Sequence, residues 1–295
     1  MTLFQRPLCY LVFLLLFLFV HILEAANLDT KHPAQGALKV RLDYGLATQS
    51  TSPNEASHRW VYSSYLVFNE PVSSITDGQL RLIAENAHKE MEADMKQYEP
   101  RDKDDLDQWV MQPSVMTIMA FDNKIILSSS QRGRSGFLNS WPDSPVRLAL
   151  DRCSTLWRDR LSADPNNGAN PDETHKNQAK CGEVNGFHQY YMTHDTPIYD
   201  LNPKARVTSV LKSRKTGKYF IVPPCGEQMD GSDSKTEWGC NLLVDDQKVD
   251  YIPNSVPRKG YGLHKIAGGV QKKGQIQMCT KNNVVWEDES GGANA

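Results

Sequence analysis

Two short segments carry residue types able to hold and use a metal ion. They are Cys181-Gly182-Glu183 and Pro224-Cys225, the second followed by a third cysteine, Cys240. Thiolates are soft ligands that suit zinc, and a zinc ion with three protein ligands keeps its fourth position for water. Such a water ionises near a pH of about 7, supplying the nucleophile that hydrolysis of an aromatic amidine carbon needs. On this reading Cys181, Cys225 and Cys240 are the ligands of a Zn2+ ion. Glu183 is the catalytic group: it takes the water's proton and passes it to the substrate nitrogen and the leaving amine.

The spacing sets a geometric condition on the elements that present these groups. Positions two apart on a regular helix point in nearly opposite directions, so Cys181 and Glu183 converge only near a helix end. With Cys181 in the first turn, the positive end of the helix dipole favours its thiolate, and Gly182 leaves room for a ring to approach the metal. The apolar stretch around Lys218–Pro223 reads as a strand that delivers Pro224-Cys225 to the same rim. The stretch from Asn177 to Thr193 reads as the motif helix, with Asn177 as its N-cap.

Further elements are legible before these. Thr76-Asp77-Gly78 opens a helix to about Tyr98, with Leu80, Ile83, Ala87, Met91 and Met95 on one face. Val115–Ser130 reads as two apolar strands turning at Asp122-Asn123, and Val146–Leu161 as another helix. Val207–Lys212 and Lys218–Pro223 form strands around the turn-forming run Arg214–Gly217. Asn27–Asn69 alternates apolar runs with a polar break and reads as strands around a loop.

At the N-terminus, Arg6 precedes the apolar run Leu8–Val20, which ends in HILEAAN. Thirteen apolar residues match a secretory signal more closely than a membrane span, which needs roughly 20. Residues 1–26 are therefore expected to be a signal peptide, leaving a secreted protein that acts outside the cytosol with no membrane segment of its own. Removing them deletes Cys9 and leaves Cys153, Cys181, Cys225, Cys240 and Cys279, an odd count that disulfides alone cannot exhaust. Three metal ligands plus one bridge use all five, as do two bridges plus a free thiol. The formal net charge of -2 announces no broadly basic surface, so a nucleic-acid partner must be argued from elsewhere.

The pattern Cys-x-Glu at 181–183 with Pro-Cys at 224–225 and a later Cys240 resembles the zinc-dependent cytidine deaminase-like superfamily. The likeness covers about 76–266, with a helix and a hairpin before the first motif and a strand before the second. Two departures stand out. Fourteen residues separate Cys225 from Cys240 where the family has two, and an extra helix and a long loop precede Cys181.

The resemblance implies an α/β fold: a three-layer α/β/α sandwich of the cytidine deaminase-like type, with an N-terminal β-rich extension at 27–75. A C-terminal strand and a disordered tail occupy 267–295. It also implies hydrolytic deamination of a nucleobase, as a nucleoside or in single-stranded nucleic acid, which in an exported chain suits a toxin or effector. Ser128, Ser129 and Ser130 fall where the family has substrate contacts, and Trp238, beside Cys240, is the tryptophan best placed to stack on a base. His175, His188 and His194 flank the motif without forming an H-E-x-x-H pattern, which disfavours a zinc protease. The reading from another class is a catalytically inert secreted binding protein stapled by disulfides.

Overall fold

The computed structural model describes residues 26–50, 55–98, 111–162, 175–226, 238–279 and 284–287. Residues 1–25 of the expected signal peptide, the connector 101–107, the loop 164–173, the polar insertion 227–236 and the tail beyond Glu287 lie outside them. No helix among the described residues is long and apolar enough to cross a membrane.

The chain begins with β1 (Arg41–Leu42), α1 (Tyr44–Ala47), β2 (Arg59–Trp60) and β3 (Tyr62–Phe68). It continues through α2 (Asp77–Met95), β4 (Val115–Phe121), β5 (Lys124–Ser129), β6 (Arg132–Gly133), α3 (Pro145–Ser162) and α4 (Gly182–Tyr191). The remaining elements are β7 (Arg206–Lys212), β8 (Tyr219–Val222), α5 (Cys240–Asp246), β9 (Asp250–Tyr251), β10 (Val270–Ile276) and β11 (Val284–Trp286).

Apolarity on both sides of the central strands dictates the layering. Along β4, Met119 and Phe121 belong to one buried cluster, and Ile118 and Ala120, on the opposite face, belong to another. A strand that is apolar on both sides must be covered on both sides. The apolar stripe of α2 (Leu80, Ile83, Ala87, Met91) covers one face, and α3, α4 and α5 cover the other. The result is a mixed α/β fold with five described helices around a mostly antiparallel sheet.

The sheet runs β11-β10-β3-β5-β4-β7-β8, with β1 on β3 and β9 beside β7; β2 and β6 form a separate ribbon. β9 is parallel to β7, with Arg206 opposite Asp250. The hairpin expected at 115–130 is present, with Phe121 opposite Lys124 around the turn at Asp122-Asn123. The helix expected from Thr76 is α2, where Thr76 and Gln79 close a capping box that satisfies the first orphan N–H groups.

Two expectations change. The motif helix starts at Gly182, with Cys181 as its N-cap; Gln178 and Ala179 have φ of 52° and 55°, so the chain turns where a helix from Asn177 was expected. Tyr44–Ala47, expected within a strand region, is a short helix because the buried Asp43 carboxylate accepts from Leu46 N–H and caps it.

Candidate metal centre

Four chain segments bring one ligand each to a common point. Cys181 stands at the N-cap of α4, which is laid so closely on the sheet that a Cβ at Gly182 would fall 2.3 Å from Thr117 Oγ1 and 2.9 Å from the Ser128 carbonyl. Glycine is what lets the helix start here, and this fixes the Cys181 thiol over the sheet edge. Cys225 follows β8. Gly239 passes so near it that a Cβ would meet the Cys225 carbonyl oxygen at 2.2 Å. Cys240 then opens α5, where its N–H donates to Cys225 Sγ at 3.2 Å.

The fourth group is His175. It forms a parallel bridge with Trp238, and Lys176 N–H donates to the Trp238 carbonyl at 2.8 Å. This bridge carries the imidazole to the cysteines.

The ligand atoms of His175, Cys181, Cys225 and Cys240 all lie within 4.8 Å of one another. Cys181 Sγ is 3.4 Å from Cys225 Sγ, and His175 Nε2 is 3.4 Å from Cys240 Sγ and 3.7 Å from Cys225 Sγ. Tetrahedral zinc with Zn–S bonds of about 2.3 Å sets neighbouring sulfurs about 3.8 Å apart, so the thiols are close to that spacing before any ion draws on them. None of the five described cysteines is in a disulfide. The donor set, one imidazole and three thiols at these separations, could hold a metal ion.

The electrostatics of the thiols are sharply divided. Hydrogen bonds from Cys181 and Cys240 pull Cys225 far below an ordinary thiol pKa, with His175 adding to the effect. Cys181 is pushed up chiefly by its hydrogen bond to Cys225, and Cys240 chiefly by burial. Alone, the cluster is poised to carry one thiolate; a bound divalent cation would deprotonate coordinating thiols outright.

Glu183 lies in the first turn of α4 and is 5% exposed. Its Oε1 accepts from Ser209 Oγ at 2.6 Å, and Ser209 is in turn hydrogen-bonded to Thr117 at 2.6 Å. Burial raises its pKa above the ordinary carboxylate value, the Ser209 hydrogen bond opposes that, and the nearby Cys225 adds to the rise. Because Cys181 sits at the cap and Glu183 in the first turn, both line one cavity of about 530 Å³ together with Cys225 and Ser130. A larger hollow of about 950 Å³ beside β10 shares no residue with the cluster.

The remaining sequence candidates are distributed around this site. Ser130 lines the cavity and its Oγ accepts from Val115 N–H at 3.4 Å. Ser129 is buried, and its hydroxyl accepts from Tyr62 N–H and donates to the Ser130 carbonyl. Ser128 is buried beneath the start of α4. Trp238 is buried with its ring edge-on to His175, centroids 5.1 Å apart. His188 lies in the core against Phe137 and Trp141, and His194 stacks on Tyr190. Sequence reasoning missed His175 as a member of the cluster; its one local signal was a position six residues before Cys181 in a chain with few histidines.

Comparison with protein-family models, with curated proteins and with solved structures found no match.

Proposed function

We propose that this chain is an exported, zinc-dependent hydrolase of the cytidine deaminase type that exchanges the exocyclic amine of a nucleobase for oxygen. The observation that carries the reading is the meeting of Cys181, Cys225 and Glu183 on the wall of one cavity, with Cys240 behind them. The order of elements supports it: helix α2, hairpin β4–β5, helix α4 with Cys-x-Glu, strand β7, then Pro-Cys and a cysteine opening α5.

The hydrogen bonds of His175 favour three ligands over four. Its Nδ1 accepts from Asn177 N–H at 3.1 Å and Ala179 N–H at 3.2 Å, so the neutral ring carries its proton on Nε2. A metal-bound histidine has the opposite arrangement, with the second nitrogen donating. His175 thus acts as an N–H donor toward the sulfurs of Cys240 and Cys225, offsetting thiolate charge while the three cysteines hold the ion.

Zinc held by Cys181, Cys225 and Cys240 would supply a hydroxide nucleophile near neutral pH. Glu183 does the proton work: its raised pKa suits a group that takes a proton from water and gives it to the ring nitrogen, then takes the proton of the added hydroxyl as the carbonyl forms and gives it to the amine, which leaves as ammonia. Ser209, supported by Thr117, holds the carboxylate oxygen in place. Gly182 lets the start of α4 lie against Thr117 and the Ser128 carbonyl, which brings Cys181 and Glu183 to the same cavity.

A second reading has a specific observation behind it: four protein groups within 4.8 Å are the number that fills a tetrahedron, as in a structural zinc site of a non-catalytic binding protein. One set of measurements separates the two. Purified protein should contain one zinc per chain, with X-ray absorption showing three sulfurs and one light atom in wild type and in His175→Ala alike. It should release ammonia from a cytosine or adenine substrate, and Glu183→Ala should abolish that release while keeping the zinc. Loss of the light-atom ligand in His175→Ala, with no ammonia from wild type, would leave the structural reading in its place.

A further inference from the structure

Around the cavity mouth the local charge departs from the near-neutral whole. Arg132 and Lys180 line the cavity together with Cys181 and Glu183, and among the described residues Glu183 is its only carboxylate. Lys180 Nζ donates to the Gly133 carbonyl at 3.3 Å, which places it on β6 next to Arg132. Across the β2–β6 ribbon Arg59 stands opposite Gly133, and Arg134 follows directly. Arg132 and Lys180 thus bring two cations to the cavity wall, with Arg59 and Arg134 nearby but outside its lining.

None of the four pairs with a described carboxylate. Arg132 spends only Nε, on the Gln112 carbonyl at 3.1 Å, and Arg59 is held by the neutral Ser135 carbonyl and the Gln49 side chain. Burial and the charge of Arg134 lower the pKa of Arg59, as expected where like charges crowd without a counter-ion. A cluster of this kind focuses a positive potential at the cleft, and an anion seated there relieves the repulsion.

We propose that the substrate carries phosphate: Arg132 and Lys180 hold a phosphate whose attached nucleobase enters the cavity toward Glu183. The assignment rests on the deaminase reading of the same site and narrows it, because a free nucleoside offers these cations nothing. The phosphate can belong to a mononucleotide or to one link of a single strand, and the two sources differ in how many charges the rim engages.

The test uses the full chain loaded with zinc and a fluorescein-labelled single-stranded 12-mer, titrated by anisotropy between 50 and 200 mM salt. Each phosphate contact contributes about 0.7 to the slope of log K against log salt. Arg132→Gln and Lys180→Gln are each expected to lower the slope by about that amount at unchanged zinc content. Competition needs no variant: a mononucleotide that displaces the 12-mer where its nucleoside does not supports the mononucleotide source, whereas displacement by unlabelled oligonucleotide alone supports a strand. Equal competition by nucleoside and nucleotide, or no binding of either phosphate form, would overturn the proposal. Ammonia release, assayed separately, keeps the two ideas apart. Phosphate-dependent binding without ammonia from any base removes the deaminase reading. Equal ammonia release from the phosphate-bearing substrate in wild type and the Arg132→Gln/Lys180→Gln double variant removes only the phosphate assignment.

Discussion

Glu183 and His188 are both buried on α4, yet their environments give them opposite tasks. Glu183 faces the cavity with a single hydroxyl donor, so Glu183→Gln should keep bound zinc and lower ammonia release by about 10²–10⁴, the usual worth of a positioned acid–base group. His188 is lowered by burial to about 4 and stays neutral in the fold. Between pH of about 6.5 and about 4 the unfolded chain takes a proton there that the native chain refuses, so this group makes stability fall as pH falls. The wild-type stability difference between pH 7 and pH 4 should exceed that of His188→Gln by up to about 3 kcal/mol, read from urea midpoints. Asp43 and Asp94 act in the reverse direction. Burial raises them to about 6 and about 7, so they favour folding more at low pH and lose that contribution as pH rises through those values. The comparison must therefore be the difference between wild type and variant. Glu183 and the cysteines were legible as residues because Cys-x-Glu and Pro-Cys are local in sequence. The partners Ser209 and Thr117 were not, since they come from two neighbouring strands and only the sheet register sets them opposite each other.

Helix starts control this site more than helix interiors do. α4 begins one residue after Cys181 because Gly182 permits contact with β4 and β5, and that contact makes an i, i+2 pair converge. Gly182→Ala should force Thr117 and the Ser128 carbonyl aside, cost about 1–3 kcal/mol in denaturant unfolding and reduce zinc stoichiometry. On the opposite face of the sheet, Thr76→Ala opens the capping box of α2 and should cost about 1 kcal/mol without changing zinc content. The capping box, the heptad-like stripe of α2 and the 115–130 hairpin could be read because each is written within one element. The true start of α4 could not: periodicity continues upstream to Asn177, and only tertiary contact forces the left-handed turn at Gln178 and Ala179.

On the scale of the whole molecule, the candidate centre joins segments that the sheet otherwise holds at some distance along the chain: the turn before α4, the end of β8 and the start of α5. An ion that binds the native arrangement and not the unfolded chain stabilises by linkage, about 2.7 kcal/mol at free metal a hundredfold above Kd. Chelation should then lower the thermal midpoint by about 5–10 °C, and stoichiometric zinc should restore it. The sequence conveyed α and β elements but not the sheet order, because pairing between β10 and β3 joins residues some two hundred positions apart.

That pairing sets a timetable for synthesis. β3 is an apolar strand flanked by β5 on one side and β10 on the other, with Tyr65 opposite Gly274. Every residue of the candidate centre leaves the ribosome before β10 does, so a nascent chain can assemble its thiols while the rim of Tyr65–Phe68, beyond the part paired with β1, still offers bare amides and carbonyls to any neighbour. A chain stopped after Gly268 should therefore be lost to self-association, seen by light scattering, rather than to failure at the cysteines.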